Sequence, residues 1–238
     1  MPYFPDKNCL FIHIPKNAGT FIEMHLGLPV HFGLLDSPAS NLRARRWIFS
    51  KIRDIIRGSA RRELARFSKK RMLFGYELGG FALQHATLEE ILSFRLVEPA
   101  VLQSSFIFAV HRDPIDRVIS IYKYWNFNKI MSFSQFCEDI VSNPWRVRLT
   151  HSQLTHLRPQ VDFVSVDGFI PDWVKMIPLN GVNDFLQDMA TDFGWPNPSL
   201  GAVNESPSQV DIFLKPRDID LIQDRYAADF ERFGYQYR

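Results

Sequence analysis

The sequence predicts an α/β fold in which a mainly parallel central sheet is flanked by helices. Three observations carry that expectation. Residues 9–14 (CLFIHI) and 106–110 (FIFAV) are short apolar runs with little polar alternation, as strands covered on both faces require. Each run is followed by a turn and then by a segment that opens like a helix. Strand and helix segments alternate along the chain, the pattern of β-α-β units.

Taken in order, residues 9–14 read as a buried strand ending at Pro15, followed by a loop containing Gly19 and a helix capped by Thr20, with Phe21, Met24 and Leu28 on one side. Residues 29–42 are rich in turn formers. Trp47, Ile48, Ile52, Ile55 and Ile56 then recur at helical spacing, Gly58-Ser59 breaks the run, and a second helix is expected over 60–70. Residues 72–76 fit a short strand. Thr87 and Glu90 form a capping box that opens a helix toward Phe94, and Pro114 begins a helix running to Trp125. Ser132 and Gln135 make a second capping box for a helix over 133–141. Residues 163–166 and 174–177 are strand candidates, and 182–189 is helical. Ser206-Pro207 starts a short helix, and a last helix over 218–230 ends before Gly234.

At 238 residues, with 46% hydrophobic and 23% charged side chains, the chain fits one globular domain rather than a disordered one. No apolar run is long enough to cross a bilayer, and the first apolar stretch reads as a strand rather than a signal peptide, so a cytoplasmic location is expected. Cys9 and Cys137 fall in a predicted strand and a predicted helix; they read as buried small hydrophobes rather than a disulfide, which suits a reducing compartment. The net charge of +2 hides an asymmetry: residues 43–71 hold twelve Lys and Arg against Asp54 and Glu63, and the remainder carries a net −8. This stretch is expected to be a basic helical insertion within the single domain. It can face an anionic acceptor such as an acidic glycan, lie peripherally against anionic lipid, or dock its apolar side on the domain with its charges solvated. No nucleic-acid module accompanies it, so no nucleic-acid partner is expected.

Pro15, Lys16, Asn17, Ala18, Gly19 and Thr20 form the turn between a buried strand and a helix N-terminus, where unpaired N–H groups and the helix dipole favour an anion. Gly19 is expected to let the backbone approach that anion, with Lys16 supplying a charge and Thr20 a hydroxyl. The arrangement differs from GxxxxGK[ST], since Lys16 precedes the glycine by three residues. Arg112 lies at the carboxyl end of a buried strand, where open α/β sheets bind ligands. Arg117 and Ser120 are three apart on the helix that follows; a guanidinium and a hydroxyl there can hold a phosphate, or Arg117 can pair with Asp113 or Asp116. Two anion sites on neighbouring strand ends imply a ligand with two separated phosphates.

Residues 11–20 (FIHIPKNAGT) and 108–122 (FAVHRDPIDRVISIY) resemble the two nucleotide-binding signatures of the carbohydrate-type sulfotransferases, the Golgi polysaccharide enzymes and their bacterial relatives. The first is similar to HIPKTxGT/S and the second to V-R-x-P-x-x-R-x-x-S-x-Y. The resemblance extends through residues 83–87 (LQHAT), 156–160 (HLRPQ), Asn204-Glu205-Ser206 and the tail YAADFERFGY, from about residue 9 to 235. Asn17 stands where Thr is more common, the Glu of an Arg-Phe-Glu-like segment is missing near residues 174–183, and residues 43–71 have no counterpart.

The resemblance implies a nucleotide-loop type of sulfotransferase fold. It implies transfer of a sulfuryl group from 3′-phosphoadenosine 5′-phosphosulfate (PAPS) to a hydroxyl, leaving adenosine 3′,5′-bisphosphate, with no metal required. The segment Pro15 to Thr20 would hold the 5′-phosphosulfate, and Arg112 and Ser120 the 3′-phosphate. The acceptor would be a hydroxyl of a carbohydrate or glycoconjugate, an anionic glycan or a glycolipid among them. Lys16 is the natural residue to offset charge on the leaving oxygen. His85 is the first candidate for the general base, with His31, His13 and Glu23 as alternatives. A small-molecule kinase with an aberrant phosphate loop and a non-catalytic basic adaptor are the competing readings.

Overall fold

A computed structural model describes residues 3–4, 7–26, 84–93, 99–196 and 212–238. The expected basic insertion at 43–71, the strand at 72–76, the helix at Ser206-Pro207 and His31 lie outside the described residues.

Among the described residues, four strands make one sheet in chain order: β1 (Tyr3–Phe4), β2 (Cys9–Ile12), β3 (Phe106–His111) and β4 (Val174–Pro178). β1 is antiparallel to β2, whereas β2, β3 and β4 run parallel, with Ile12 opposite Ala109 and His111 opposite Pro178. The carboxyl ends of β2 and β3 therefore emerge side by side.

Alternation along the strands sends side chains to two cores. Leu10, Ile12, Ile107, Ala109 and Val174 face one side, where they meet Leu88, Ile91, Leu102, Phe163 and Val164. Cys9, Phe11, Phe108, Val110 and Ile177 face the other, against Ile22, Leu26, Val182, Leu186 and Trp195. Both faces are covered, which is why these strands read as uninterrupted apolar runs. Cys9 and Cys137 are free and buried in different clusters.

Helices α1 (Gly19–His25), α2 (Leu88–Ser93) and α3 (Pro99–Ser104) precede β3. α2 opens on the expected capping box: Thr87 N donates to Glu90 Oε2 at 3.0 Å and Glu90 N to Thr87 Oγ1 at 3.1 Å. α4 (Pro114–Tyr124) follows β3 and is capped by Asp113, whose Oδ1 accepts from Ile115 N and Asp116 N. α5 (Phe133–Phe136) has the Ser132–Gln135 box and continues as a wider turn over Cys137–Val141. α6 (His151–His156) and α7 (Val161–Val164) lead to β4, and α8 (Val182–Phe193) follows it. α9 (Pro216–Arg225) and α10 (Ala227–Phe233) end the chain's described structure. α4, α5, α9 and α10 close a separate apolar cluster around Ile121, Phe136, Ile222 and Phe230.

Several local expectations need correction. The strand expected at 163–166 is the one-turn helix α7, because Asp229 Oδ1 accepts from Val161 N at 2.9 Å and holds its first turn. Only Val166 makes an isolated bridge, to Phe169. Thr20 does not cap α1: the helix already includes Gly19, and Ile22 N donates to Ala18 O at 3.1 Å. The expected final helix is two helices interrupted at Tyr226, ending at Gly234 in the left-handed region with φ 69°.

Candidate active site

Past Ile12 the chain turns sharply. Lys16 and Ala18 both adopt the left-handed region, with φ of 69° and 59°. Non-glycine residues enter that region at a cost of about 1 kcal/mol or more each, so something must hold the loop there. Arg117 Nε donates to Pro15 O at 3.1 Å, and Arg112 Nη1 donates to Lys16 O at 3.3 Å. Asn17 Nδ2 donates to Val110 O at 2.7 Å and to Gln160 Oε1 at 2.6 Å. Asn17 is thus turned into the protein, and its amide ties the loop to the end of β3. Pro15 has no N–H to offer a ligand; its carbonyl is the tether.

The packing around Gly19 gives a further reason for a glycine there. A Cβ there would lie 1.9 Å from His13 Nε2, so the missing side chain makes room for the His13 imidazole. His13 Nδ1 is 2.6 Å from Glu23 Oε1, and both residues are buried. Burial, the largest single effect, pushes the Glu23 carboxyl up, but the hydrogen bond from His13 and the nearby positive charge together outweigh it and leave it below the usual value. The pair bolts the start of α1 to the end of β2. Thr20 is the second residue of α1 and is half-buried.

Lys16 Nζ sits 3.9 Å from the centroid of the Tyr124 ring, the last residue of α4. Burial first, and the Arg112 guanidinium second, lower the Lys16 ammonium to about 8. Beyond Tyr124 comes a column of rings: Tyr124 stacks on His156 at 5.4 Å, His156 meets His85 edge-on at 5.4 Å, and His85 meets His13 at 4.5 Å. His85 Nδ1 donates to His13 O at 2.9 Å and His156 Nδ1 to Ser152 O at 2.8 Å, which leaves each Nε2 as the acceptor nitrogen. Burial holds His85 well below its ordinary value and His156 at about 3, so both rings are neutral at pH 7.

Arg112 follows β3 directly. Its Nε is buried without a hydrogen-bond partner. Arg117 pairs with neither Asp113 nor Asp116 and does not reach for a ligand. It is 1% exposed, and besides Pro15 O its guanidinium donates to Arg158 O and His156 O, each at 2.9 Å. Ser120 lies three residues beyond it on α4, half-buried. The structure therefore brings Lys16, Arg112 and His85 around one loop, and places Glu23 behind it as the partner of His13. Sequence reasoning missed Tyr124, His156, Gln160 and Asp229 as parts of this site; the Pro-Gln dipeptide and the closing helix were visible as resemblance without a role.

The model of the sulfotransferase family matches residues 2–236. The chain belongs to the sulfotransferase family. No curated protein and no solved structure matches it. The sulfotransferase acts with PAPS as donor. Its residues fit a donor of that charge. An orphaned buried guanidinium nitrogen and a lysine ammonium destabilised by that same guanidinium are both relieved by an anion placed between them. Among the described residues no group of three or more His, Cys, Asp or Glu is placed to hold a metal ion. None of the described helices is long and apolar enough to cross a membrane.

Proposed function

We propose that this sulfotransferase transfers the sulfuryl group of PAPS to a hydroxyl of a carbohydrate or glycoconjugate. The observation that carries the reading is the meeting of its two signatures. Arg112, from the end of β3, reaches the carbonyl of Lys16, from the end of β2, at 3.3 Å. A nucleotide with phosphates at both ends can span them. The carbohydrate class rests on the resemblance of both signatures and of the LQHAT segment to the carbohydrate-type enzymes, and the basic stretch at 43–71 favours an anionic glycan.

The donor supplies a sulfuryl group on a phosphate leaving group; the chain supplies charge and alignment. Lys16 neutralises charge building on the leaving oxygen, its ammonium resting against the Tyr124 face. Backbone N–H groups of the loop hold the 5′ end, with Thr20 adding a hydroxyl. Arg112 and Ser120 hold the 3′-phosphate. His85 accepts the acceptor's proton at Nε2, its ring fixed by the bond to His13 O. Glu23 acts through His13 rather than on the acceptor, because its carboxylate is buried against that ring.

Calorimetry of the purified protein with adenosine 3′,5′-bisphosphate, followed by transfer assays from PAPS to a panel of neutral and anionic glycans, tests this reading. Binding of the bisphosphate and transfer to a glycan are expected. Folded protein that ignores the bisphosphate, or that transfers only to small non-sugar alcohols, contradicts it.

A further inference from the structure

Gln160 sits between the two halves of the donor site. It is fully buried, and all four hydrogen-bonding positions of its carboxamide are used. Oε1 accepts from Arg112 N at 2.9 Å and from Asn17 Nδ2 at 2.6 Å. Nε2 donates to Arg112 O at 2.8 Å and to Asp229 Oδ2 at 3.2 Å. Sheet pairing between β3 and β4 ends at His111 and Pro178. One residue further on, the side chain of Gln160 takes over from the ladder, meeting both the N–H and the carbonyl of Arg112 as a neighbouring strand would.

The same amide grips Asn17, whose own Nδ2 also reaches Val110 O at 2.7 Å. One side chain therefore fixes the loop that carries Lys16 and the backbone that carries Arg112. Asp229 holds it in turn. Its Oδ2 accepts from Gln160 N at 2.8 Å, and its Oδ1 accepts from Val161 N at 2.9 Å. Asp229 is fully buried in α10, so the closing helix is part of the same brace.

We propose that Gln160, oriented by Asp229, is the positioning residue that sets the spacing between the 5′ and 3′ phosphate subsites, so that the protein selects a nucleotide phosphorylated at both positions over either monophosphate. The proposal rests on the donor-site reading above. A two-ended ligand gains over its halves only while both ends can be engaged at once, and that gain is lost when the spacing relaxes. Replacing Gln160 by Met keeps the bulk and removes every polar bond. Gln160→Glu keeps the shape but sets a carboxylate oxygen against Arg112 O and Asp229.

The test is calorimetry of wild type, Gln160→Met and Gln160→Glu with adenosine 3′,5′-bisphosphate, adenosine 5′-monophosphate and adenosine 3′-monophosphate. The bisphosphate is expected to weaken about tenfold or more in each variant, while each monophosphate changes by less than about threefold. Equal weakening of all three ligands, or no change, overturns the proposal, since a general loosening of the fold moves them together. If either variant fails to fold, Asn17→Ala reads the same coupling through one of the four bonds: a selective bisphosphate loss of about threefold supports it, and a uniform loss overturns it. Wild-type protein that binds none of the three ligands refutes the donor-site reading itself, an outcome distinct from a wild type that binds the bisphosphate no more tightly than the monophosphates.

Discussion

The loop at residues 15–20 and the arm that starts at Arg112 stand side by side at the carboxyl end of the sheet, but they are built in different ways. The loop has left-handed backbone at Lys16 and Ala18 and is held by side chains from other parts of the chain: Arg117, Arg112 and Gln160. The arm runs straight from β3 into a regular helix capped locally by Asp113, and its proposed ligand group is the Arg112 guanidinium, whose Nε has no hydrogen-bond partner. On the proposed reading the loop contributes mainly backbone N–H groups, and it needs outside support to keep its shape. On the same reading the arm contributes a side chain; its helix is capped locally, while the backbone of Arg112 is braced by Gln160. Substitutions should accordingly damage geometry and stability around the loop, but affinity alone at the arm.

The largest effect is expected at Lys16, the loop's one charged side chain. Lys16→Ala should raise the barrier by about 3 kcal/mol, roughly a hundredfold in kcat, with a smaller change in bisphosphate affinity. Steady-state transfer kinetics beside calorimetry separate the two. Next comes a contrast between two arginines five residues apart in sequence. Arg117→Met should cost about 3 kcal/mol in urea unfolding, because it leaves the carbonyls of Pro15, His156 and Arg158 buried and unpaired. Arg112→Met should leave unfolding within about 1 kcal/mol of wild type and weaken the bisphosphate by roughly 2 kcal/mol. If the two variants behave alike, the contrast between braced loop and free arm fails.

A smaller loss is expected from Gly19→Ala. The new methyl must displace the His13 ring, a strain of about 1–3 kcal/mol by analogy with overpacked cores. The double variant with His13→Ala should recover part of that stability in thermal unfolding, whereas additive losses would show that His13 is not what Gly19 accommodates. The smallest effect concerns pH. Below about 8, Lys16 is an ammonium and attracts anions; as pH rises through that value in the free protein the charge is lost and bisphosphate binding weakens. Bound anion favours the charged form, so the complex takes up a proton near pH 8. Calorimetry in buffers of different ionisation enthalpy reads that uptake; a buffer-independent enthalpy there would argue against it.

Elements governed by neighbours in sequence were legible before the structure. The buried strands were visible because both sheet faces are covered, and the Thr87 and Ser132 boxes because their partners lie three residues away. What escaped depends on distant partners. Residues 163–166 carry a strand-like pattern, yet a carboxylate from α10 winds the segment into a turn. Lys16 and Arg112 were legible as charges at strand ends. Gln160 was not, since an uncharged amide announces no role until its partners, 48 and 143 residues away, are in place. The steric need for Gly19 was not legible either, because only the folded chain brings the His13 ring against it.

The most direct test of the central claim compares adenosine 3′,5′-bisphosphate with adenosine 5′-monophosphate on the wild-type protein by calorimetry. If the loop and the arm form one site, the bisphosphate binds tighter by about 2 kcal/mol or more, roughly thirtyfold, and Arg112→Met removes most of that advantage. Equal affinities for the two nucleotides, or an advantage that survives Arg112→Met, would contradict the account.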